Sequence, residues 1–128
     1  MTGIKEARLL WQRARESRND MMEVSSANGK ANRAYYAAFY AVSALLALDG
    51  VEFKKHQAVE TAVHRDLVKT GRWPKELGQD YSRLFALRLT GDYGIVYGVS
   101  AEEASEAAER AERILVFVKQ SQPDIFPE

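Results

Sequence analysis

The sequence predicts an all-α protein, an antiparallel up-and-down bundle of four to five helices. Along most of the 128-residue chain, apolar residues recur at alternating spacings of three and four, the period of an amphipathic helix. Outside the short segment Ile95–Val99, no stretch alternates as a strand would. Residues 34–48 carry no charge, and a helix that is apolar on nearly all sides lies at the centre of a bundle. We expect one domain over residues 1–128.

The N-terminal helix is predicted from about Ile4 to Val24. Its apolar stripe follows the helical spacing and consists of Ile4, Ala7, Trp11, Ala14, Arg18 and Met21. Arg18 is the charged residue on this stripe, and two interpretations are open. Its aliphatic stem packs while the guanidinium reaches solvent, or the guanidinium faces a groove as a binding cation.

The central helix follows a Ser-Ser-Ala-Asn-Gly turn, in which Asn28 or a serine is the expected N-cap. One stripe of this helix holds Asn32, Tyr35, Phe39, Val42 and Leu46, and a second holds Tyr36, Tyr40, Ser43 and Ala47. Gly50 should end the helix in a left-handed conformation. The other helices are expected to pack around this one.

A third and a fourth helix follow a short link. The third is predicted over His56–Lys69, with Gly71 as its stop signal. The fourth is predicted to start at Trp73-Pro74, because proline suits the first helical turn, and its apolar stripe leads to Arg88 at its end. Three glycines and two tyrosines within Thr90–Val99 then indicate an ordered loop.

The last helix is predicted from a capping box. Ser100 is its N-cap, Glu103 is its third helical residue, and the helix ends near Gln122. Acidic residues crowd its first turns, which suits the helix dipole. The apolar pair Ile125 and Phe126 comes after the helix and is expected to fold back onto the body.

Charge is segregated along the chain, although the formal net charge is zero. Residues 1–99 hold 15 Lys/Arg and 11 Asp/Glu, a net +4, whereas residues 100–128 hold 3 and 7, a net −4. The absence of cysteine favours an intracellular location. Because the N-terminus has no signal-peptide pattern and no apolar run reaches the about 20 residues of a membrane span, we expect a cytoplasmic protein without membrane contact.

The sequence lacks the motifs of several common kinds of functional site. No glycine-rich nucleotide loop or hydrolase nucleophile elbow occurs in the sequence. His56, Glu60 and His64 share one helical stripe, but two histidines two turns apart are more typical of a solvated face than of a metal site. We therefore predict no metal and no cofactor. His56 also begins a helix beside Lys54 and Lys55, where a phosphate would be favoured.

The group of residues that most suggests a binding site consists of Arg88, Asp92 and Tyr93. An arginine near a helix end is followed at once by an acid and a phenol in the predicted loop. One interpretation is a site in which Arg88 binds an anion. The other is structural: Arg88 pairs with Asp92, and Tyr93 packs under the glycine loop, since buried arginines are normally paired.

Four segments of the chain together resemble a known family. They read N-R-A-Y-Y-A-A-F-Y-A (32–41), F-K-K-H-Q-A-V (53–59), L-V-K-T-G (67–71) and L-R-L-T-G-D-Y-G (87–94). In this order and spacing they resemble the small stand-alone prokaryotic HEPN-domain proteins, and the likeness covers nearly the whole chain. The resemblance implies a four- to five-helix up-and-down bundle that is often dimeric.

The resemblance also implies contact with nucleic acid. Several HEPN proteins are ribonuclease toxins paired with a nucleotidyltransferase-type antitoxin, and their motif is an arginine followed, after four to six residues, by a histidine. Arg88 corresponds to this arginine, but Tyr93 stands five residues on, where the histidine is expected. A phenol, with an unperturbed pKa of about 10, is a poor general base near neutral pH. His56 would replace the histidine if the fold brings it to Arg88.

Two functions follow from these expectations. In the first, a basic groove binds RNA or a nucleotide, and its ligand-binding residues are Arg33, Tyr36, Lys54, His56, Arg88 and Asp92. RNA cleavage there would need no metal; Arg88 would stabilise the charged transition state, and His56 or Tyr93 would move a proton. In the second, the chain is a dimeric interaction module whose acidic last helix seats a nucleotidyltransferase partner.

Overall fold

The computed structural model describes residues 2–94 and 98–127. These residues form five α-helices and no strand: α1 (Thr2–Glu23), α2 (Ala27–Leu48), α3 (His56–Ala62), α4 (Lys75–Tyr93) and α5 (Ala101–Ser121). The all-α helical bundle that the sequence predicts is thereby confirmed. Most of the strand-like segment Ile95–Val99 lies outside the described residues. Within the described part of the chain, no helix is long and apolar enough to cross a membrane.

The central position of α2 is confirmed. This helix contacts each of the other four, and its contact with α1 is the most extensive. Six of its alanines are fully buried: Ala31, Ala34, Ala37, Ala38, Ala41 and Ala44. Their small side chains let the neighbouring helices approach closely, while the larger Tyr35 and Val42 fill the core between them. Arg33, Tyr36 and Tyr40 remain half-buried and form the open side of α2.

A serine rather than Asn28 caps the start of α2. The Ser26 hydroxyl accepts a hydrogen bond of 3.0 Å from the Gly29 backbone N–H. The side-chain oxygen of Asn28 accepts instead from the Val99 N–H at 2.8 Å, which ties the segment before α5 to the start of α2. At the other end, Gly50 has the expected left-handed backbone, with φ of 77°.

The fourth helix continues further than the sequence predicts. Residues 90–93 fall within the predicted loop, but they form the last turn of α4, and the Gly94 N–H bonds to the Thr90 carbonyl at 2.9 Å. At Gly91, α4 passes close to the segment before α5, since a Cβ at this position would lie 3.3 Å from a methyl group of Val99. A glycine in the last turn of α4 permits this close approach. As a result, Asp92 is a helical residue one turn after Arg88.

The third helix changes its winding partway. The predicted helix over His56–Lys69 is observed as α3 followed directly by a π-helical segment, Val63–Val68. This segment packs tightly against α4 at Gly78, where a Cβ would lie only 2.7 Å from a methyl group of Val68. Gly78 therefore permits a close approach of the two elements.

The termini and α5 are held by contacts across the bundle. Phe126 is fully buried with its ring centroid 5.0 Å from that of Trp11, so the expected return of the C-terminal segment is confirmed. Arg18 does not stand alone in solvent, because its Nε donates to a Glu112 carboxylate oxygen at 2.7 Å, at the edge of a groove between α1 and α5 that Arg15 and Lys119 also line. Arg83 of α4 likewise pairs with Glu106 of α5 at 3.0 Å.

Candidate functional site

Arg88 lies near the end of α4 and faces two tyrosines of α2. Its Nε donates to the Asp92 carboxylate at 3.1 Å, one turn on, and its side chain is only 12% exposed. The guanidinium carbon lies 5.3 Å from the ring centroid of Tyr35 and 5.6 Å from that of Tyr36. The cation is thus held against two aromatic rings as well as by a carboxylate.

A second guanidinium approaches the same aromatic surface. The guanidinium carbon of Arg33 lies 5.0 Å from the Tyr36 ring centroid. Asn32 links the two arginines: its Oδ1 accepts from Arg33 at 3.0 and 2.6 Å, and its Nδ2 lies 3.4 Å from both carboxylate oxygens of Asp92. Two cations and one carboxylate therefore surround the Tyr36 ring, and the local balance is positive.

His56 completes the cluster from the start of α3. Its Nδ1 shares a hydrogen bond of 2.9 Å with the Tyr35 hydroxyl, and its ring centroid lies 4.6 Å from that of Phe39. Burial lowers the pKa of His56, and the nearby Arg88 cation lowers it further, so the imidazole is neutral near pH 7. Burial raises the pKa of the Tyr35 phenol to about 12.

Several donors of this cluster are unused. Arg88 bonds through Nε, and its two Nη groups have no hydrogen-bond partner among residues 2–94 and 98–127. Nε2 of His56 has no partner in this part of the chain either. Neither residue is fully buried, so solvent reaches part of each side chain. The cluster can thus donate several hydrogen bonds to an anion.

The structure brings together most, but not all, of the residues that the sequence singles out. Arg33, Tyr36, His56, Arg88 and Asp92 form one cluster, which we call the Arg88 cluster and which also includes Asn32, Tyr35 and Phe39. Lys54 is exposed two residues before His56 and makes no hydrogen bond or ion pair within the described ranges. Tyr93 is 69% exposed and neither packs under the glycines nor contacts Arg88.

Three members of the Arg88 cluster make contacts that the sequence pattern does not reveal. Helical spacing places Asn32, Tyr35 and Phe39 on the apolar stripe of the central helix, as core residues. Asn32 is the polar residue on this stripe, and it lies one turn before Tyr35 and Tyr36. A polar residue on an otherwise apolar stripe was the available signal. The described residues contain no group of three acidic or histidine side chains that could hold a metal ion.

Comparisons with known proteins agree with this fold. The family model described as HEPN domain matches residues 7–121. A "UPF0332 protein" of Thermotoga maritima is 42% identical over 107 residues, which are 81% of each chain. A protein of Methanocaldococcus jannaschii that is named as a candidate toxin is 33% identical over 73 residues, 57% of this chain and 50% of the relative. Because the family model covers most of its length, the chain belongs to the HEPN domain family.

Proposed function

We propose that the Arg88 cluster binds phosphate groups of RNA or of a nucleotide. The observation that carries this proposal is the state of Arg88: it is fixed through Nε by Asp92 and against two tyrosine rings, while its Nη groups have no hydrogen-bond partner among the described residues. An arginine held in this way can meet a phosphate with two parallel hydrogen bonds at little cost in side-chain entropy. Lys54 would add positive charge from the exposed link before α3.

RNA is favoured over a free phosphate by the aromatic rings beside the cations. Tyr36 is half-buried and lies next to both Arg33 and Arg88. Single-stranded nucleic acid is commonly bound by cations that track the backbone and aromatic rings on which bases stack. A short single-stranded RNA is therefore the proposed ligand class.

The proposal is tested with Arg88→Ala and a matched control. Binding of a labelled single-stranded oligoribonucleotide is measured by fluorescence anisotropy at several salt concentrations. We expect Arg88→Ala to weaken binding at least about tenfold, since a charge-assisted hydrogen bond contributes roughly 1.5–3 kcal/mol. The slope of log affinity against log salt should fall by about 0.7 for each phosphate that the variant no longer neutralises.

Arg72→Ala is the control, because it removes the same charge from an exposed pair. Arg72 bonds to Asp49 at 2.7 Å, at the C-terminal end of α2. That end lies roughly 20 Å along the helix axis from Arg33 and Tyr36, given a rise of 1.5 Å per residue. Equal loss of affinity in both variants, or none in Arg88→Ala, would contradict a phosphate site at Arg88.

RNA cleavage is a second candidate, and the position of His56 favours it. His56 and Arg88 contact the same two tyrosine rings, so a proton-transfer group stands beside the cation although the motif histidine is absent. The candidate toxin among the relatives is consistent with this role. The same oligoribonucleotide, incubated with each variant and separated on a denaturing gel, tests it; cleavage that persists in Arg88→Ala would not belong to this site.

The partner expectations have unequal support. In the interaction-module alternative, α5 offers its acids to a nucleotidyltransferase partner. However, Glu103 and Glu106 are engaged by Arg83, and Glu112 is engaged by Arg18, all within the chain. We therefore favour the ligand-binding function over a docking role for α5. The homodimer and the nucleotidyltransferase-type antitoxin remain predictions from the family resemblance.

A further inference from the structure

The hydrogen bond between Tyr35 and His56 joins a fixed side chain to an open one. Tyr35 is fully buried, and its ring packs against Phe39 and Phe85 with centroid distances of 5.9 and 5.7 Å. Its hydroxyl therefore has one available position, 2.9 Å from Nδ1 of His56. The imidazole is half-buried and presents its other nitrogen, Nε2, to solvent.

The direction of this hydrogen bond follows from what each partner needs. A neutral imidazole carries one N–H, on either nitrogen. If Nδ1 carried it, the buried Tyr35 hydroxyl would have to donate elsewhere, but no carboxylate or carbonyl of the described residues accepts from it. Nε2 needs no protein partner, because water can reach it. The arrangement that satisfies both groups has Tyr35 donating to Nδ1 and the imidazole proton on Nε2.

The neighbouring Tyr81 hydroxyl supports the same direction. Tyr81 is fully buried, and within the described ranges its hydroxyl has no hydrogen-bond acceptor of its own. If Tyr35 donated to it, the Tyr81 proton would be left buried without an acceptor, at a cost. Nδ1 of His56 is therefore the acceptor that the Tyr35 hydroxyl has among the described residues.

The groups around His56 keep it in the neutral form that this arrangement requires. From α4 it faces the Arg88 cation, and from α2 it faces the uncharged rings of Tyr35, Tyr36 and Phe39. On its own helix the nearest acid along the same face is Glu60, one turn further on. The burial of the imidazole and its positive neighbour disfavour a second proton on the ring.

We propose that Tyr35 is a positioning residue that sets the Nε2–H tautomer of His56, so that this N–H is a donor to a phosphoryl oxygen bound at Arg88. The identity of the acceptor rests on the proposed function; the tautomer does not. In this state His56 offers a hydrogen bond through Nε2 and cannot take up a proton there, so RNA cleavage with His56 as the base would require the other tautomer. It would therefore recognise phosphate together with Arg88 without carrying a charge.

The tautomer can be read directly, because the chain has two histidines. The protein is labelled with nitrogen-15, long-range proton–nitrogen spectra are recorded above pH 7, and His64→Gln assigns the signals. We expect His56 of the wild type to show an unprotonated Nδ1 and a protonated Nε2. Tyr35→Phe keeps the ring and removes the hydroxyl, so both nitrogens should shift towards the averaged values of two exchanging tautomers.

Tyr36→Phe is the matched control. The Tyr36 ring also lies 5.6 Å from that of His56, but its hydroxyl makes no hydrogen bond to the imidazole, so the wild-type tautomer should persist. A wild type with the proton on Nδ1, or a Tyr35→Phe spectrum equal to that of the wild type, would overturn the inference. If Tyr35→Phe does not fold, the wild-type spectrum still decides between the two tautomers.

Addition of the oligoribonucleotide separates the inference from the proposed function. Binding should shift the His56 Nε2 signal in the wild type. RNA that binds by anisotropy without moving this signal would overturn the role of His56 as a donor. RNA that does not bind at all would contradict the proposed function, while the tautomer of His56 would still test the positioning by Tyr35.

Discussion

The Asp92 carboxylate lies beside Arg88, next to the position where an anionic ligand would bind. Its carboxylate accepts from Nε of Arg88 at 3.1 Å and lies 3.4 Å from the Asn32 amide nitrogen. The carboxylate orients the guanidinium, but its negative charge also repels an incoming phosphate. These two effects oppose each other, and an isosteric amide separates them because it keeps an oxygen acceptor and removes the charge.

Asp92→Asn is therefore expected to strengthen RNA binding by about threefold, a change typical of one partly exposed charge. The amide oxygen can still accept from Arg88, while the repulsion is removed. Fluorescence anisotropy with the same oligoribonucleotide measures the change. Asp49→Asn, which removes the exposed partner of Arg72, should leave affinity unchanged. Weaker binding by Asp92→Asn would mean that the carboxylate is required to hold Arg88 and outweighs its repulsion.

At the scale of single residues, what could be predicted depended on distance along the chain. Arg88 and Asp92 are four residues apart, so their pairing was open to sequence reasoning. The Tyr35–His56 bond joins residues 21 apart, and the Asn32–Asp92 contact joins residues 60 apart. Such contacts depend on how α2, α3 and α4 pack together. Periodicity places Asn32 and Tyr35 on a stripe but does not say which polar groups that stripe meets.

At the scale of elements, α4 and α5 are joined by a carboxylate with two arginines. Asp80 of α4 accepts from Arg110 at 2.8 Å and from Arg113 at 2.9 Å, and its side chain is only 6% exposed. A buried carboxylate that loses its partners leaves uncompensated charge in a poorly solvated place. This clamp orients α4, the helix that carries Arg88.

Asp80→Ala should lower the free energy of unfolding by about 1 kcal/mol, because it removes charge-assisted hydrogen bonds to Arg110 and Arg113, of which Arg110 keeps Glu106 and Arg113 is exposed. Urea denaturation followed by circular dichroism measures this. Asp66→Ala is the control: Asp66 pairs with Arg65 at 2.8 Å on the exposed surface, so its loss should have a much smaller effect on stability. Similar losses in both variants would contradict a specific clamp at Asp80.

Most element boundaries could be predicted, because caps and helical spacing are local signals. The Ser100–Glu103 capping box is present as expected, with both of its hydrogen bonds. The predicted end of α4 was wrong, because Gly91 and Gly94 are local signals for a break in the helix. The last turn is stabilised instead by tertiary contact with the segment before α5 and by the Arg88–Asp92 pair. The π-helical segment was also missed, since helical spacing does not reveal one inserted residue.

At the scale of the whole molecule, the segregated charge is matched by ion pairs between the last helix and the rest of the bundle. The acidic last helix pairs with the basic body through Glu112 with Arg18 and through Glu103 and Glu106 with Arg83. Hydrogen bonds from Ser100 lower the pKa of Glu103, with a smaller contribution from Arg83, and the hydrogen bond from Arg83 lowers the pKa of Glu106. Their contribution to stability is present above the usual glutamate pKa and is lost as the pH falls through the lowered values.

His56 should make stability depend on pH in a different and higher window. Its pKa in the folded state lies below 6.5, the value for an unperturbed histidine, because of burial and the Arg88 cation. Between these two values the unfolded chain binds more protons than the folded one, so folding stability rises with pH and levels off above about 6.5. Acidification through this window must charge an imidazole beside a guanidinium.

Urea unfolding at a series of pH values should therefore show a free energy of unfolding that rises with pH below 6.5. His56→Gln should reduce this slope. His64→Gln, the control at the exposed histidine bonded to Ser82, should leave the slope in place. An equal slope in wild type and His56→Gln would place the titrating group elsewhere and would remove the electrostatic coupling between His56 and Arg88 on which the candidate site depends.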